Sequence, residues 1–312
     1  MKNDIKSFSL SAQVTLDMHC LNNEGTEGNY VKARMVHIVD QFGEIRETNA
    51  ISGDMLKHIQ TESLISIAKE TGLPLCAGCN KGNANRINVD RPFLKSIEKI
   101  DSKNNIQILN EVIPYCTVDD LAGVLITEGR RSVARKSVVE FGWLLGIPER
   151  TTTESHLHVK FDTATANAEN NGNRGPILFY RPSNSGVYAL VMHVELNRVG
   201  YHDGVRQYVI DDEERKKRQI AMIRSIIHML ISINGAHKST DHPHLLSING
   251  VVTTSTNMTP APTLSPLKDT YEQEIIAVAE QLNRWPGNKV HCNQFNNLAQ
   301  LVAILTDLAE SL

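Results

Sequence analysis

The segment from Phe8 to Met18 alternates apolar and polar side chains without interruption. Its apolar members are Phe8, Leu10, Ala12, Val14, Leu16 and Met18. Because successive side chains of a strand point to opposite faces of a sheet, this period of two predicts a long β-strand with one buried face. Any fold for this chain must therefore contain a sheet that buries these residues.

Further elements are predicted from periodicity and from capping residues. Ser52 suits the N-cap of a helix, Asp54 suits its first turn and Gly72 suits its end. Asp211 or Asp212 suits the start of a second long helix. We expect strands near 30–39, 155–163, 175–181, 187–196 and 249–256, and further helices near 118–127, 132–145, 271–282 and 295–308.

The strongest of these elements follow the order strand, helix, strand, strand, helix, strand. This order is typical of a ferredoxin-like or RNA-recognition-motif core, so the predicted fold class is α+β. We expect residues 1–312 to form a single domain, with insertions at about 20–50 and 73–172 and an acidic helical segment at 269–312 packed on the core. The polar face of the first strand carries Ser, Gln, Thr and Asp, which argues against base stacking on the sheet.

Composition is that of a globular protein and excludes several classes. Of the 312 residues, 41% are hydrophobic and 21% are charged, and no apolar run is long enough to cross a membrane. The polar first residues lack the apolar region of a secretory signal, so we expect none. Five cysteines, an odd number in a chain of this length, fit reduced thiols and predict a cytoplasmic protein.

The net charge of −3 differs from that of many nucleic-acid-binding proteins, which are basic. Residues 269–312 hold six acidic and only two basic residues, a net charge of −4. The other 268 residues therefore carry a net charge of +1. Because electrostatic attraction is short-ranged in salt, local basic stripes on such a body can still hold a phosphate backbone.

Three segments together resemble one protein family. They are Glu27-Gly28-Asn29-Tyr30 followed by Lys32 and Arg34, Ile51-Ser52-Gly53-Asp54-Met55-Leu56-Lys57-His58, and Asn234-Gly235-Ala236-His237-Lys238-Ser239. In this order and spacing they are similar to motifs of the CRISPR Cascade backbone subunit, the "Cas seven" family, in its DevR autoregulator branch. The resemblance runs from about residue 6 to residue 256.

The resemblance implies a hand-like subunit, with palm, fingers and thumb, built on a modified RNA-recognition fold. Several copies of such a subunit bind side by side along one guide RNA, kink it with a thumb hairpin and leave its bases free to pair. The implied partners are the guide CRISPR RNA, target DNA, further copies of the chain and other Cascade subunits, in antiviral defence. The thumb candidate is the segment 155–181.

The helix start at Ser52 is the first candidate RNA-binding site. Free backbone N–H groups and the helix dipole attract an anion there, and Gly53 would let a phosphate approach the backbone. Lys57 and His58 add donors one turn later. The alternative is a plain capped helix with two solvated side chains.

The strand that follows the Glu-Gly-Asn-Tyr loop is the second candidate. Tyr30, Lys32 and Arg34 would share its polar face, next to Asn29, so that a base or a phosphate could lie across them. A solvated strand face is the alternative.

Three further groups complete the RNA-binding candidates, each with a solvated surface as its alternative. In each group, basic or small side chains lie on one side of a predicted element or in a loop. They are Arg130, Arg131, Arg135 and Lys136 in a predicted helix, His156, His158 and Lys160 on a predicted strand, and Gly235, Ala236, His237 and Lys238 in a loop after a helix.

Cys76 and Cys79 have the spacing of half a zinc knuckle. No second pair follows at standard spacing, so we expect free thiols in a turn and no cofactor. Cys116 and a histidine could complete a zinc site only if the fold brought them together.

The sequence contains no P-loop, Gly-x-Ser-x-Gly, His-Glu-x-x-His or dinucleotide-binding fingerprint. We therefore predict a non-catalytic protein. The alternative is an RNA-cleaving backbone subunit, for which Asp17 and Asp162 are the candidate residues, although neither has a paired acid or base in a recognisable motif.

Overall fold

The computed structural model describes residues 5–101, 104–127, 131–160, 177–233 and 241–312. The strands in these ranges are β1 (Ser7–His19), β2 (Asn23–Glu27), β3 (Tyr30–Ala33), β4 (Met35–Val39), β5 (Ile45–Ile51), β6 (Val124–Ile126), β7 (Val133–Arg135), β8 (Val139–Phe141), β9 (Leu144–Lys160), β10 (Ile177–Val194), β11 (Tyr201–His202), β12 (Gln207–Tyr208), β13 (His244–Ser255) and β14 (Val290–Phe295). The helices are α1 (Gly53–Thr71), α2 (Ala77–Asn80), α3 (Arg91–Ser96), α4 (Asn105–Tyr115), α5 (Thr117–Leu121), α6 (Asp212–Ile231), α7 (Tyr271–Leu282) and α8 (Leu298–Ser311).

One large, mainly antiparallel sheet organises these elements, in the strand order β14-β13-β1-β10-β9-β5-β4. The predicted first strand is confirmed and lies inside the sheet. Leu10 of β1 is opposite Val252 of β13 on one side and Met192 of β10 on the other. Phe8 and Leu10 are completely buried, as their alternation predicts. The mixed α and β character that the sequence predicts is thus present.

Helices α1 and α6 cover the apolar face of the sheet. Val14 of β1, Leu56 of α1 and Met229 of α6 line one small apolar cavity, which shows the three elements in contact. Gln60 of α1 donates a hydrogen bond of 2.7 Å from its amide nitrogen to Ser225 of α6, which links the two helices. The apolar side chains of α8 extend the same core; they are Leu301, Leu305 and Leu308.

The first half of the polar face of β1 is buried as well, because residues 261–266 cross it. The Ser9 hydroxyl donates to the carbonyl of Ala261 at 2.8 Å, and the Ser11 hydroxyl lies 2.7 Å from that of Thr263. Ser9 is only 1% exposed. The serines of the polar stripe therefore hydrogen-bond to a covering segment instead of facing solvent.

A buried carboxylate joins the segment between α1 and β9 to the core. Asp120 of α5 accepts from Arg218 of α6 at 3.0 Å and from Arg135 of β7 at 2.8 Å. It also accepts from the backbone N–H of Gly200 at 2.9 Å. The side chains of Asp120 and Arg218 are both 0% exposed. Elements far apart in the chain thus meet at one charged group.

The predicted helix at 132–145 is wrong, because this segment forms β7, β8 and the start of β9. Val133 and Arg135 are buried while Ala134 is exposed, which is the period of a strand. The predicted strand at 30–39 is broken into β3 and β4. The segment 73–118, expected to be irregular, contains three short helices, α2, α3 and α4.

The predicted break between strands at 175–181 and 187–196 is also wrong, since β10 runs through both. Pro182 lies inside β10, opposite Ser155 of β9. The pairing of β10 with β1 ends at Asn184, so Pro182 lies beyond it and its missing N–H leaves no ladder bond to β1 unmade. A proline in the sequence therefore did not mark a turn.

Among the described residues, no helix has both the length and the apolar character needed to cross a bilayer.

We predict that Asp120→Asn lowers the free energy of unfolding by about 3–5 kcal/mol, because it leaves two buried guanidinium groups without their shared carboxylate. Urea denaturation measures this loss. Asp203→Asn is the matched control, since Asp203 contacts Arg135 and Arg198 with a side chain that is 57% exposed. A surface partner should contribute less than about 1 kcal/mol. Equal losses in the two variants would contradict the prediction.

We also predict a pH dependence from His19, which shares a hydrogen bond of 2.8 Å with the Tyr188 hydroxyl. Burial lowers the pKa of His19 from 6.5 to about 4, against a smaller opposing effect of Asp17. Between these two values the unfolded chain binds more protons than the folded chain. The contribution of neutral His19 to the free energy of unfolding is therefore complete above pH 6.5 and is lost as the pH falls towards 4. The wild type should lose about 3 kcal/mol more over this range than His19→Gln. Parallel stability curves for the two proteins would refute this assignment.

Candidate nucleic-acid interface

The first turn of α1 is built as the sequence predicts. The Ser52 hydroxyl accepts from the backbone N–H of Met55 at 3.2 Å, and Gly72 ends the helix with a φ of 70°. Gly53 also meets a packing requirement that the sequence does not indicate. A Cβ atom at Gly53 would lie 2.7 Å from the carbonyl oxygen of Phe141, so glycine is required for packing against protein backbone.

Lys57 lies one turn further on and lines an open cleft of about 600 Å³, which the segments 84–88, 122–125 and 134–137 line as well. Arg86 lines the same cleft, together with Asn85 and Asn88. A second hollow of about 250 Å³ adjoins the first, and Lys57, His58 and Arg86 all line it. Lys57 and Arg86 are therefore common to two adjoining depressions in the surface.

The two cations repel each other in this cleft. Burial and then the charge of Arg86 lower the pKa of Lys57, while Asp54 and Glu140 act weakly in the opposite direction. Glu140 itself is paired with Lys136 at 2.6 Å. Within the described ranges, neither Lys57 nor Arg86 forms an ion pair with a carboxylate. Two neighbouring cations that no carboxylate pairs directly favour binding of a polyanion.

His58 is exposed on the same turn, and its Nε2 atom lies 3.4 Å from the Glu62 carboxylate. A phosphate would compete with Glu62 for this ring, and only the protonated ring would attract it strongly. Of the four predicted residues at the helix start, Lys57 has the geometry best suited to an anion.

The residues of the second candidate site lie near one another but not on one face. Tyr30 stacks on Tyr180 of β10, with ring centroids 4.1 Å apart and planes 3° apart, and remains 46% exposed. Lys32 is exposed and is paired with Glu27. Arg34 lies at the break between β3 and β4, with its guanidinium 5.5 Å from the centroid of Trp143. The predicted common face of all three is therefore wrong at Arg34.

Asn29 joins β3 to the β9–β10 hairpin. Its side-chain amide donates to the carbonyl of Leu178 at 3.3 Å, and its own carbonyl accepts from the Tyr180 N–H at 2.8 Å. The role of Asn29 visible in the structure is thus to position the Tyr30–Tyr180 stack.

The predicted alternation at 156–160 is confirmed, because these residues lie on β9 and pair with β10. His156 is opposite Arg181, and His158 is opposite Phe179 and stacks on it with centroids 5.5 Å apart. The Arg181 guanidinium lies 4.9 Å from the Phe179 ring centroid. Lys160 is exposed at the end of the described strand. This face of the hairpin combines cations with aromatic rings.

The basic group at 130–136 does not form a surface stripe. Arg131 is 9% exposed and donates to the carbonyl of Ile97 at 2.8 Å, while Arg135 is 4% exposed and is paired with Asp120. A guanidinium has five donors in a fixed plane, so several protein acceptors can satisfy it in the interior. The prediction that Arg131 and Arg135 face a ligand together with Lys136 is therefore wrong; only Lys136 is exposed.

Five of the predicted residues lie outside the described residues. They are Arg130, Gly235, Ala236, His237 and Lys238.

Arg86 was missed by sequence reasoning, although it completes the cleft. It lies in a stretch of glycine and asparagine residues, 80–88, that was interpreted only as irregular. Its φ of 49° is left-handed, and its guanidinium donates to the carbonyl of Gly123. A lone arginine in a glycine-rich and asparagine-rich loop is the only local signal that could have drawn attention to it.

Cys76 and Cys79 are joined by two residues from further along the chain. The ligand atoms of Cys76, Cys79, Cys116 and Asp119 all lie within 4.8 Å of one another, and all four residues are buried. The fold brings Cys116 to the pair, as the sequence allowed, but the fourth group is an aspartate.

The comparisons with known proteins agree with one another. The sequence model of the family described as "CRISPR-associated negative auto-regulator DevR/Csa2" matches residues 10–275. The chain is 28% identical over 249 residues to the "CRISPR-associated protein Cas7/Cst2/DevR" of Methanocaldococcus jannaschii, which covers 75% of this chain and 76% of that protein. It is 23% identical over 219 residues to the "CRISPR-associated protein Cas7/Csa2 1" of Saccharolobus solfataricus, covering 67% and 66% respectively.

The fold is similar to that of a chain in a solved "CRISPR RNA-guided surveillance complex", with a TM-score of 0.54, 15% identity and coverage of 98% of this chain and 99% of that chain. A second such structure, described as pre-nicking, gives a TM-score of 0.54 with 12% identity. At these identities the likeness concerns the fold alone. Because the family model spans most of the sequence, and the three motifs had pointed to the same family, this chain belongs to the DevR/Csa2 family of CRISPR-associated proteins.

Proposed function

We propose that this chain is a non-catalytic, repeating subunit of a type I CRISPR Cascade surveillance complex in the cytoplasm. In this role it binds the backbone of the guide RNA beside further copies of itself and other subunits, and it presents the guide bases for pairing with target DNA. Family membership and the fold of RNA-guided surveillance complexes support the proposal. The observation that carries it is the cleft in which Lys57 and Arg86 lie without a carboxylate partner.

The proposal includes a modified ferredoxin-like core. Four strands lie side by side in the order β13-β1-β10-β9, and α1 and α6 follow β1 and β10 in the chain. A sheet of this order with two helices on one face is what a ferredoxin-like core requires. The insertions then provide the remainder of a hand-like subunit, with the β9–β10 hairpin as its thumb.

Recognition through the RNA backbone, rather than through stacked bases on the sheet, follows from the covered sheet. Residues 261–266 occupy the face of β1 on which an RNA-recognition motif displays its aromatic rings. In this proposal, the cations that contact RNA are those of the cleft and of the hairpin. A protein that holds phosphates in this way leaves sequence recognition to base pairing.

We predict that the full chain copurifies with a discrete RNA of guide length and assembles on RNA cooperatively. A single subunit contacts few phosphates, so stable binding requires neighbouring copies, and affinity should fall steeply with salt. Gel-shift titrations on RNAs of increasing length measure this. Tight, salt-insensitive binding of one subunit to a short RNA would argue against the proposal.

The same assembly separates the proposal from an RNA-cleaving subunit. Complementary RNA added to the loaded complex should stay intact, whereas cuts at regular intervals would establish the alternative. Asp17 lies opposite His244 in the pairing of β1 with β13, so Asp17→Asn is the variant to examine if cuts occur. Asp162, the other candidate, lies outside the described residues.

We predict that Lys57→Ala weakens guide-RNA binding while the melting temperature stays the same or rises slightly. The change removes a charge-assisted contact worth about 1.5–3 kcal/mol, and it also removes the repulsion between Lys57 and Arg86. The salt dependence should become shallower by about one phosphate contact per subunit. Two guides of unrelated sequence should lose the same affinity, because a phosphate contact carries no base information.

Lys69→Ala is the matched control, because Lys69 is exposed on the last turn of the same helix and away from the cleft. It should bind RNA like the wild type. Equal losses from Lys57→Ala and Lys69→Ala, or a loss with only one of the guides, would exclude the cleft as a phosphate site.

A further inference from the structure

Three thiols and one carboxylate meet in the interior, close to the base of α1. Cys76 and Cys79 form the turn that begins α2, and the Cys76 sulfur accepts the backbone N–H of Cys79 at 3.3 Å. Cys116 precedes α5, and Asp119 lies three residues later on α5. All four side chains are 0% exposed. The cluster therefore joins two helices that are separated in the chain by α3 and α4.

A backbone hydrogen bond holds the Cys76–Cys79 turn next to the start of α5, which carries the other two residues of the cluster. The N–H of Thr117 donates to the carbonyl of Pro74 at 2.9 Å, which ties the start of α5 to the segment before α2. Residues three apart on a helix lie on the same side, so the turn that begins with Cys116 presents Cys116 and Asp119 together. The arrangement does not depend on long or exposed side chains.

Asp119 lacks the partners that a buried carboxylate requires. Its Oδ1 atom accepts no hydrogen bond from any described residue, and its Oδ2 atom lies 3.8 Å from the Cys79 sulfur, so its neighbours are thiols, which are weak donors. The next residue, Asp120, has two guanidinium groups and a backbone N–H. Arg86 acts on Asp119 through its charge without forming an ion pair with it. Burying a carboxylate without a direct partner is costly, so this position favours a bound cation.

We propose that Cys76, Cys79, Cys116 and Asp119 bind one zinc ion in a closed, tetrahedral, structural site. Ligand atoms around a tetrahedral zinc with Zn–S distances of about 2.3 Å lie about 3.8 Å apart, and the four atoms here lie within 4.8 Å. Thiolates select zinc among the common divalent ions. An iron–sulfur cluster binds its cysteines through different iron atoms and needs ligands farther apart.

The site has the form of a structural site because all four positions are protein ligands and all are buried. It lies behind the wall of the cleft, since Gly78, inside the Cys-x-x-Cys turn, packs on Arg86. A Cβ atom on Gly78 would lie 1.9 Å from the Arg86 carbonyl oxygen. Zinc would thus fix α2 against α5 and, through this contact, the loop that carries Arg86.

Metal content tests the proposal without reference to RNA. The full chain, produced in zinc-supplemented medium and freed of nucleic acid, should contain one zinc per chain by mass spectrometry of the metal. Cys116→Ser and Asp119→Asn should lower zinc affinity by at least the roughly 10–100-fold that loss of a supporting partner costs. Asp119→Cys should retain the metal on four thiolates. Cys292→Ser is the matched control, because Cys292 lies on β14, outside the cluster, and should keep full occupancy.

Cobalt substitution of the wild-type chain decides the question even if the variants fail to fold. Co²⁺ in the site should give thiolate charge-transfer absorption and the strong visible bands of tetrahedral geometry. Three results would overturn the proposal: a metal-free wild-type chain that takes up neither Zn²⁺ nor Co²⁺, a disulfide between two of the three cysteines in the purified protein, or unchanged zinc affinity in a folded Cys116→Ser variant.

Discussion

The position of the segment between α1 and β9 depends on the carboxylate of Asp120, which lies between two buried guanidinium groups. Arg218 belongs to the core helix α6, whereas Asp120 and Arg135 belong to the inserted segment. Two charges buried without the third would be strongly unfavourable, so the insertion cannot shift on the core without breaking the triad. Since Arg135 also lines the cleft, the same triad fixes one wall of the candidate RNA site.

Both faces of the sheet are covered around the first half of β1, and this limits where a ligand can bind. Helices α1 and α6 cover one face, and residues 261–266 cover the polar face of β1 through its serine hydroxyls. In the proposed role, the guide RNA contacts the cleft beside α1 and the β9–β10 hairpin, which lie away from this covered part of the sheet. Function thus lies in the additions to the core, which is common when one fold serves many roles.

Features encoded locally were predictable from the sequence, and features that depend on distant partners were not. The caps of α1 and the bounds of α7 agree with the prediction, because N-caps and helical periodicity involve residues within one or two turns. Arg135 was misjudged because its partners Asp120 and Arg218 come from other elements. For the same reason, the sequence indicates only the Cys76 and Cys79 part of the four-residue cluster. Asp119 lies 43 residues after Cys76 and is not part of a recognisable motif.

The β9–β10 hairpin extends well beyond its pairing with β1, and a bulge lies where this extension begins. Beyond the last pairing of β10 with β1 at Asn184, residues 177–183 extend about 23 Å as a ribbon. At its base is a bulge between Gly186 and Tyr188, where a side chain on Gly186 would collide with the Arg150 carbonyl. The strand spans about 30 Å from this bulge to Ile177, so a tilt of roughly 10° at the bulge would move the described end of the ribbon by about 5 Å. A small change of backbone at Gly186 would therefore be amplified along the ribbon.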